Sequence, residues 1–333
     1  METSAAILSS GSAAGYLLAM RVLATAAIIV VAGALMSKWE KCANQDTFTK
    51  INSRIFIPCM VFASMNRTPI EASEAALMSA ASIVFATACY PLACYWSSRA
   101  DQDKSGYVPM LFSSTSTMLL PLSFLLFGSQ GIAKATFFHL ANLLLLYTWG
   151  MKCSGQPSKF RDFFKTPTLH AVLLALLLKQ IEVDLPVQIS ELLWLVEKGI
   201  LMMAAGALPL LLMNHGYSVC CLRSAGAGWW SPAALVRAMW LPLVAVAMII
   251  LMRYTGLAPM EKGYDLIQYL DLRTSEAILL LASAMPCTIS LFRQPAGVTG
   301  SRRTDTLILS STVISLFFLV VILCMINRYI YNS

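Results

Sequence analysis

The chain has 333 residues and a net charge of +7, with 58% hydrophobic and only 12% charged residues. A soluble domain carries about twice that charged fraction, so the composition excludes an ordinary soluble enzyme or binding module. The basic residues are spread through short segments without a dense tract, which argues against nucleic acid as a partner.

Ten apolar stretches approach the length of about 20 residues that a helix needs to cross a bilayer. In chain order they are Tyr16–Met36, Ile55–Met65 with its flanks, Ala75–Trp96, Val108–Phe127, Ile132–Gly150, Leu169–Leu178 with its flanks, Ile200–His215, Ala233–Met252, Ala277–Phe292 and Leu307–Ile326. The second and the sixth have the shortest apolar runs. The sequence therefore predicts an all-α polytopic membrane protein, placed in a plasma membrane or a bacterial inner membrane.

The basic residues indicate an orientation in the bilayer. With the N-terminus outside, the loops and helix ends on the cytosolic side hold fifteen of the 24 basic residues. These are Lys38, Lys41, Lys50, Arg54, Arg99, Lys104, Lys152, Lys159, Arg161, Lys165, Arg223, Arg237, Arg293, Arg302 and Arg303. Because cytosolic loops are enriched in Lys and Arg, we expect both termini outside.

Nine cysteines are present. Five lie in apolar stretches, and the other four, Cys42, Cys153, Cys220 and Cys221, lie in segments predicted as cytosolic. Since no cysteine falls in a predicted outer loop, the sequence predicts no structural disulfide.

Five spans in each half give the halves opposite orientations, which is the inverted-repeat plan of many secondary transporters. The spacing of prolines supports a repeat, since Pro58 and Pro91 are 33 residues apart and so are Pro209 and Pro242. We therefore expect a first five-helix repeat over residues 1–150, a cytosolic linker over 151–166 and a second, inverted repeat over 167–333.

Spans four and nine each contain one internal proline, Pro121 and Pro286, among polar side chains. Five consecutive hydroxyl residues, Ser113 to Thr117, precede the first, and Ser283 and Thr288 flank the second. Proline frees a backbone carbonyl, which is tolerated in lipid only where protein or water satisfies it. One interpretation is a pair of simple kinks whose hydroxyls bond to their own helix. The other, which we favour, is two unwound helices that face a polar site.

At these residues the chain resembles the auxin efflux carrier family of transporters. FSSTSTMLLPLSFLLFGSQGIAKATFFHLANLLLLYTWG is similar to the family's fourth and fifth helices, SEAILLLASAMPCTISLF to the ninth and LILSSTVISLFFLVVILCMI to the tenth. INSRIFIPCMVFASM and GALPLLLMNHG resemble the second and the seventh. The resemblance implies ten helices in two inverted repeats, a scaffold and a transport unit, and broken helices four and nine that cross at the substrate site.

The chain departs from that family at three positions near the implied crossing. Ser114 stands where the family has Asn, and Ser116 and Leu119 stand where it has Gly. The long cytosolic loop of plant auxin exporters is also missing. Auxin is therefore not the expected substrate.

The predicted substrate-binding residues surround the two prolines and the middle of span five. They are Ser114, Thr115, Ser116, Thr117, Pro121, Asn142, Ser283, Pro286 and Thr288. For Asn142 the alternatives are a contact to substrate or to the unwound span four, and a helix-to-helix hydrogen bond. His139, one turn earlier, is a candidate for proton coupling or a packing residue. His215 is interpreted as an interfacial helix end and Arg237 as a cytosolic anchor.

The sequence predicts a secondary transporter that moves a small organic anion of the carboxylate type by alternating access. The alternative is a sodium-dependent organic-anion symporter of the bile-acid type. Intramembrane protease motifs are lacking, so no enzymatic activity is expected. No cofactor is expected, the coupling ion is H⁺ or Na⁺ where there is one, and the oligomeric state is open, with a homodimer among the options.

Overall fold

The computed structural model of the chain describes residues 12–40, 45–99, 104–155, 157, 160–180, 187–224, 226–254, 266–288 and 302–331. Within these ranges the chain is helical almost throughout, and the described residues pair as extended backbone only at an isolated bridge between Ser113 and Cys287. The prediction of an all-α protein is confirmed.

The α-helices follow one another with short breaks. In chain order they are α1 (Ser12–Trp39), α2 (Gln45–Ile51), α3 (Ile57–Arg67), α4 (Ala72–Ser98), α5 (Leu120–Leu145), α6 (Met151–Cys153), α7 (Phe160–Phe163), α8 (Pro167–Gln180), α9 (Val187–Ser224), α10 (Pro232–Tyr254), α11 (Leu266–Ser283) and α12 (Arg302–Tyr331). Three π-helical turns, Asn52–Phe56, Thr115–Leu119 and Leu146–Gly150, and a 3-10 helix, Lys104–Leu111, extend or precede them. Turns of π-helix occur frequently at functional sites.

Six helical runs in the described ranges are long and apolar enough to cross a membrane, where the sequence predicted ten spans. They are Met20–Trp39, Ala72–Ser98, Thr115–Cys153, Trp194–Arg223, Pro232–Tyr254 and Thr304–Cys324. Two of the missing spans correspond to α3 and α8, which have only 11 and 14 residues. The end of the predicted ninth span, residues 289–292, lies outside the described residues.

The run Thr115–Cys153 contains two of the predicted spans, which meet at a sharp turn. Gly128 adopts φ 64° and ψ −147°, a conformation that essentially only glycine tolerates. A side chain added at Gly131 would collide with the Ser123 carbonyl, so the segments on either side of the turn pack closely. The boundary predicted between spans four and five therefore lies at this glycine.

Large apolar side chains cover the outer faces of the long helices. Met202 is 79% exposed, Phe317 is 70% exposed and Ile28 is 70% exposed. A helix that is apolar on its outer face as well as its inner face is typical of a membrane span. The exposed surface is therefore as expected for contact with lipid.

The helices form two groups. The first contains α1, α3, α8 and α9, which pack mainly against one another, and the second contains α4, α5, α10, α11 and α12. Contacts of α3 with α5 and of α12 with α1 join the groups.

In the first group, α1 and α9 approach backbone to backbone. A Cβ added at Gly33 would meet the Met213 carbonyl, and one added at Gly216 would meet the Val30 carbonyl. Without side chains at these two positions the helices come close enough for extensive packing, which is how small residues stabilise helix pairs in membranes.

We expect Gly216→Ala to destabilise the protein, because its Cβ meets a backbone carbonyl that cannot move without separating α1 from α9. The expected loss is about 1–3 kcal/mol, as for other overpacked cores. Thermal unfolding of the purified protein in detergent measures it. Gly199→Ala is the matched control on the same helix, because a Cβ there meets open space. Equal melting temperatures for the two variants would contradict the proposed close packing.

One further prediction is wrong. Cys221, near the end of α9, is disulfide-bonded, whereas the sequence predicted no structural disulfide. The prediction rested on the cytosolic placement of this segment, and disulfides persist mainly in oxidising compartments. The bond therefore opposes the orientation that the basic residues indicate.

Candidate functional site

The centre of the site is a place where two extended segments cross and pair. The first, Phe112–Ser114, lies between the 3-10 helix and the π turn that leads into α5, and the second follows the end of α11. The Ser114 amide donates to the Pro286 carbonyl at 2.8 Å, and the Thr288 amide donates to the Phe112 carbonyl at 3.0 Å. These bonds satisfy backbone groups that the interrupted helices leave free, as an apolar interior requires.

The two predicted prolines lie near these breaks, but only Pro286 lies within one of them. Pro121 lies inside the helical run that begins with the π turn Thr115–Leu119 and continues as α5, so its missing amide hydrogen removes one intrahelical bond. The first break instead precedes it, at Phe112–Ser114. Pro286 does lie in the second extended segment.

Arg237 on α10 holds the two segments together. Its Nε donates to the Met110 carbonyl, its Nη1 to the Met285 carbonyl and its Nη2 to Ser113 Oγ, each at 2.9 Å. The side chain is only 2% exposed. The interpretation of Arg237 as a cytosolic anchor is therefore wrong, because the guanidinium caps the carbonyl ends of two helices at the crossing.

Asn142 on α5 and Thr115 in the π turn before it fix the same crossing. Asn142 Nδ2 donates to the Ser113 carbonyl at 3.2 Å, so this buried amide contacts the unwound segment. Thr115 Oγ1 lies 2.6 Å from His139 Nδ1. Both side chains bond across elements, not back to their own helix.

A cavity of about 540 Å³ lies between the two helix groups, beside the crossing. Its lining includes Ser114, Ser116, Thr117, His139, Leu143 and Tyr147 from the second group and Asn52, Ile57, Leu211, Asn214, His215 and Ser218 from the first. The charged lining residues are Asp46, Lys50, Arg54, Asp162 and Lys165. Small-molecule sites have volumes of about 300–1,000 Å³, so a small organic solute fits.

Inside the cavity three polar side chains form a hydrogen-bonded chain that joins the two groups. Ser114 Oγ and Thr117 Oγ1 are 2.8 Å apart, and Thr117 Oγ1 lies 3.2 Å from His215 Nδ1. The chain brings hydroxyl groups from the π turn against an imidazole of α9.

The predicted site residues divide into three sets. Those that line the cavity are Ser114, Ser116, Thr117 and His139. Those that hold the crossing are Thr115, Asn142, Pro286 and Thr288. Pro121 lies inside the helical run Thr115–Cys153, and the Ser283 hydroxyl bonds the Leu280 carbonyl of its own helix at 2.6 Å, so neither belongs to the first two sets.

The sequence reasoning missed three residues at this site. His215 is 1% exposed and lies well inside α9, so its interpretation as an interfacial helix end is wrong. Asn52, which the sequence analysis covered only as part of the stretch INSRIFIPCMVFASM, is buried at a π turn and lines the cavity. The third is Arg237. A polar residue within a span-length apolar run was the available signal for His215.

A second polar cluster connects α4, α5, α10 and α11. Lys134 Nζ lies 2.6 Å from Glu74 Oε1 and 3.1 Å from Ser275 Oγ. Arg253 forms two bonds of 3.0 Å with the Glu276 carboxylate. These ion pairs tie the second helix group together. None of the four charged residues lines the cavity.

Comparison with known proteins finds no family model that matches the chain and no curated protein similar to it. The resemblance to the auxin efflux carrier family therefore stays a prediction, and the function has to be argued from the geometry of the site.

Proposed function

We propose that this chain is a secondary transporter that moves a small organic anion across a membrane by alternating access. The observation that carries the proposal is the pairing of two interrupted helices at Ser113 and Cys287 beside a polar cavity. Transporters commonly bind their substrates at discontinuous helices near the middle of the bilayer. A helix interruption there requires a polar or water-filled environment, which this cavity supplies.

Three sources of positive potential favour an anion. Arg237 donates three hydrogen bonds to oxygen atoms that carry no net charge, and these bonds do not neutralise its positive charge. The π turn that leads into α5 begins beside the cavity at Thr115, and helix N-termini attract negative charge. Around the cavity, three basic side chains outnumber two acidic ones.

The position of the cavity between the helix groups supports a rocking mechanism. One wall comes from α9 and the Asn52 turn of the first group, and the other comes from the π turn and α5 of the second. Movement of the second group against the first would close this opening and carry the crossing towards the other side. In this proposal the first group is the scaffold and the second is the transport unit, as in an inverted-repeat carrier of ten helices.

Coupling to H⁺ or Na⁺ belongs to the same proposal. His139 lines the cavity and bonds Thr115, so a proton on its ring would act directly on the crossing. A proton gradient that drives uptake in the wild type, but not in His139→Gln, would support this role.

Uptake into proteoliposomes tests the function. We expect labelled mono- and dicarboxylates to accumulate, with rates measured under imposed pH and sodium gradients. Ser114→Ala and Thr117→Ala each remove a hydroxyl from the cavity chain, and we expect each to reduce uptake about tenfold, the cost of one unsatisfied buried group. Ser123→Ala is the matched control, since Ser123 is buried on α5 outside the cavity. No uptake of any anion by correctly folded wild-type protein would overturn the proposal.

A further inference from the structure

Among the described residues that line the cavity, two have a buried polar atom without a hydrogen-bond partner. These atoms are Asn52 Oδ1 and His215 Nε2, and both belong to side chains that are 1% exposed. Buried polar atoms are nearly always satisfied, because an unmade bond costs free energy. Both residues line the same cavity, and a bound molecule that reaches these two atoms would supply the missing partners.

The two residues lie on the same part of the cavity wall. Asn52 Nδ2 donates to the Leu210 carbonyl of α9 at 3.3 Å, and that carbonyl points along the helix towards residue 214. Thr49, nearly one turn before Asn52, donates to Asn214 Oδ1 at 3.3 Å. The Asn52 amide therefore sits beside the turn of α9 that carries His215, within about one helical turn or 5.4 Å along the axis.

The chemistry of these atoms defines what the molecule must offer. The Asn52 amide has a fixed orientation, because its NH₂ group faces the Leu210 carbonyl and only its oxygen is left over. An amide oxygen accepts, so the ligand must donate an O–H or N–H. When Thr117 donates to His215 Nδ1, His215 Nε2 carries a hydrogen, and an anionic oxygen of a ligand can accept it.

We infer that the substrate is an anion that also carries a hydroxyl or N–H donor, with its carboxylate at His215 Nε2 and its donor at Asn52 Oδ1. A 2-hydroxycarboxylate has this pair of groups on adjacent carbons. A plain carboxylate of the same length leaves Asn52 Oδ1 unsatisfied. The inference rests on the proposed function and names the class of substrate for the same site.

Matched pairs of ligands test the inference. The probes are lactate against propionate and 2-hydroxyglutarate against glutarate, because each pair differs by one hydroxyl. Isothermal titration of the full-length protein in detergent gives Kd for each. We expect the hydroxylated member of at least one pair to bind about tenfold more tightly than its partner, the difference that one satisfied buried acceptor makes.

Variants locate the discrimination. Asn52→Leu keeps the approximate size of the side chain and removes the acceptor, so we expect the ratio of Kd values within that pair to fall to about one. Asn66→Leu makes the same substitution on α3, outside the cavity, and is expected to keep the wild-type ratio. Persistence of the full ratio in Asn52→Leu would overturn the assignment.

The wild-type comparison stands without any variant. Equal Kd values within both pairs overturn the inference and leave anion transport intact. Failure of every carboxylate in the uptake panel overturns the proposed function, and the substrate class with it.

Discussion

Replacing Arg237 with methionine is expected to abolish anion uptake and to lower the melting temperature of the protein. Methionine fills a similar volume but donates no hydrogen bond, so the Met110 carbonyl, the Met285 carbonyl and Ser113 Oγ all lose their partner. Leaving a buried acceptor unsatisfied costs about 1–3 kcal/mol. Three such losses at one crossing amount to roughly 3–6 kcal/mol after partial relaxation.

The conservative variant distinguishes charge from geometry. Arg237→Lys keeps the positive charge, but a compact ammonium cannot reach three acceptors that a planar guanidinium spans. We therefore expect a melting temperature between those of the wild type and Arg237→Met, with uptake reduced more than tenfold because the two segments are no longer held in register.

Arg223→Met is the matched control. Arg223 is exposed, donates to the Ala227 carbonyl at 2.6 Å and stacks on Trp229, and it lies outside the cavity. Its loss is expected to change neither uptake nor the melting temperature appreciably. Wild-type uptake and stability in Arg237→Met would show that the crossing does not depend on the guanidinium.

The location of the site was predictable from the sequence because its polar residues interrupt long apolar runs. Five successive hydroxyl residues before Pro121 are unusual in a span and mark where the first helix unwinds. The exact break was not predictable, since a proline inside a membrane helix does not necessarily end it. Pro121 lies inside the helical run Thr115–Cys153, and the break falls earlier, at Phe112–Ser114.

The contacts that complete the site depend on tertiary structure. In the sequence, Arg237 lies at the cytosolic end of a predicted span. The general enrichment of basic residues on that side already accounts for an arginine there. Its burial requires the Met110 and Met285 carbonyls, 175 residues apart in sequence, to converge on α10. His215 was placed at a helix end because an apolar run stops there, yet α9 continues to Ser224. Local sequence patterns do not specify such long-range contacts.

Exchanging the buried ion pair of Lys134 and Glu74 for apolar residues is expected to destabilise the protein in an asymmetric way. Lys134 is 1% exposed and Glu74 is 16% exposed. When Lys134 is replaced by Met, water can partly solvate the remaining Glu74 carboxylate. When Glu74 is replaced by Met, the Lys134 ammonium loses this carboxylate in a place that water hardly reaches. Removing one member of a buried pair costs about 3–5 kcal/mol, and we expect Glu74→Met to lie at the upper end.

The double variant Lys134→Met/Glu74→Met is expected to be more stable than Glu74→Met alone, because it removes both charges of this pair and adds apolar packing between α4 and α5. A double-mutant cycle on the unfolding free energies in detergent gives the coupling. Lys165→Met is the control, since Lys165 and Asp162 form a pair whose side chains are 76% and 44% exposed, and screened surface pairs contribute little. Additive losses for Lys134 and Glu74 would mean that the 2.6 Å contact between them contributes nothing to stability.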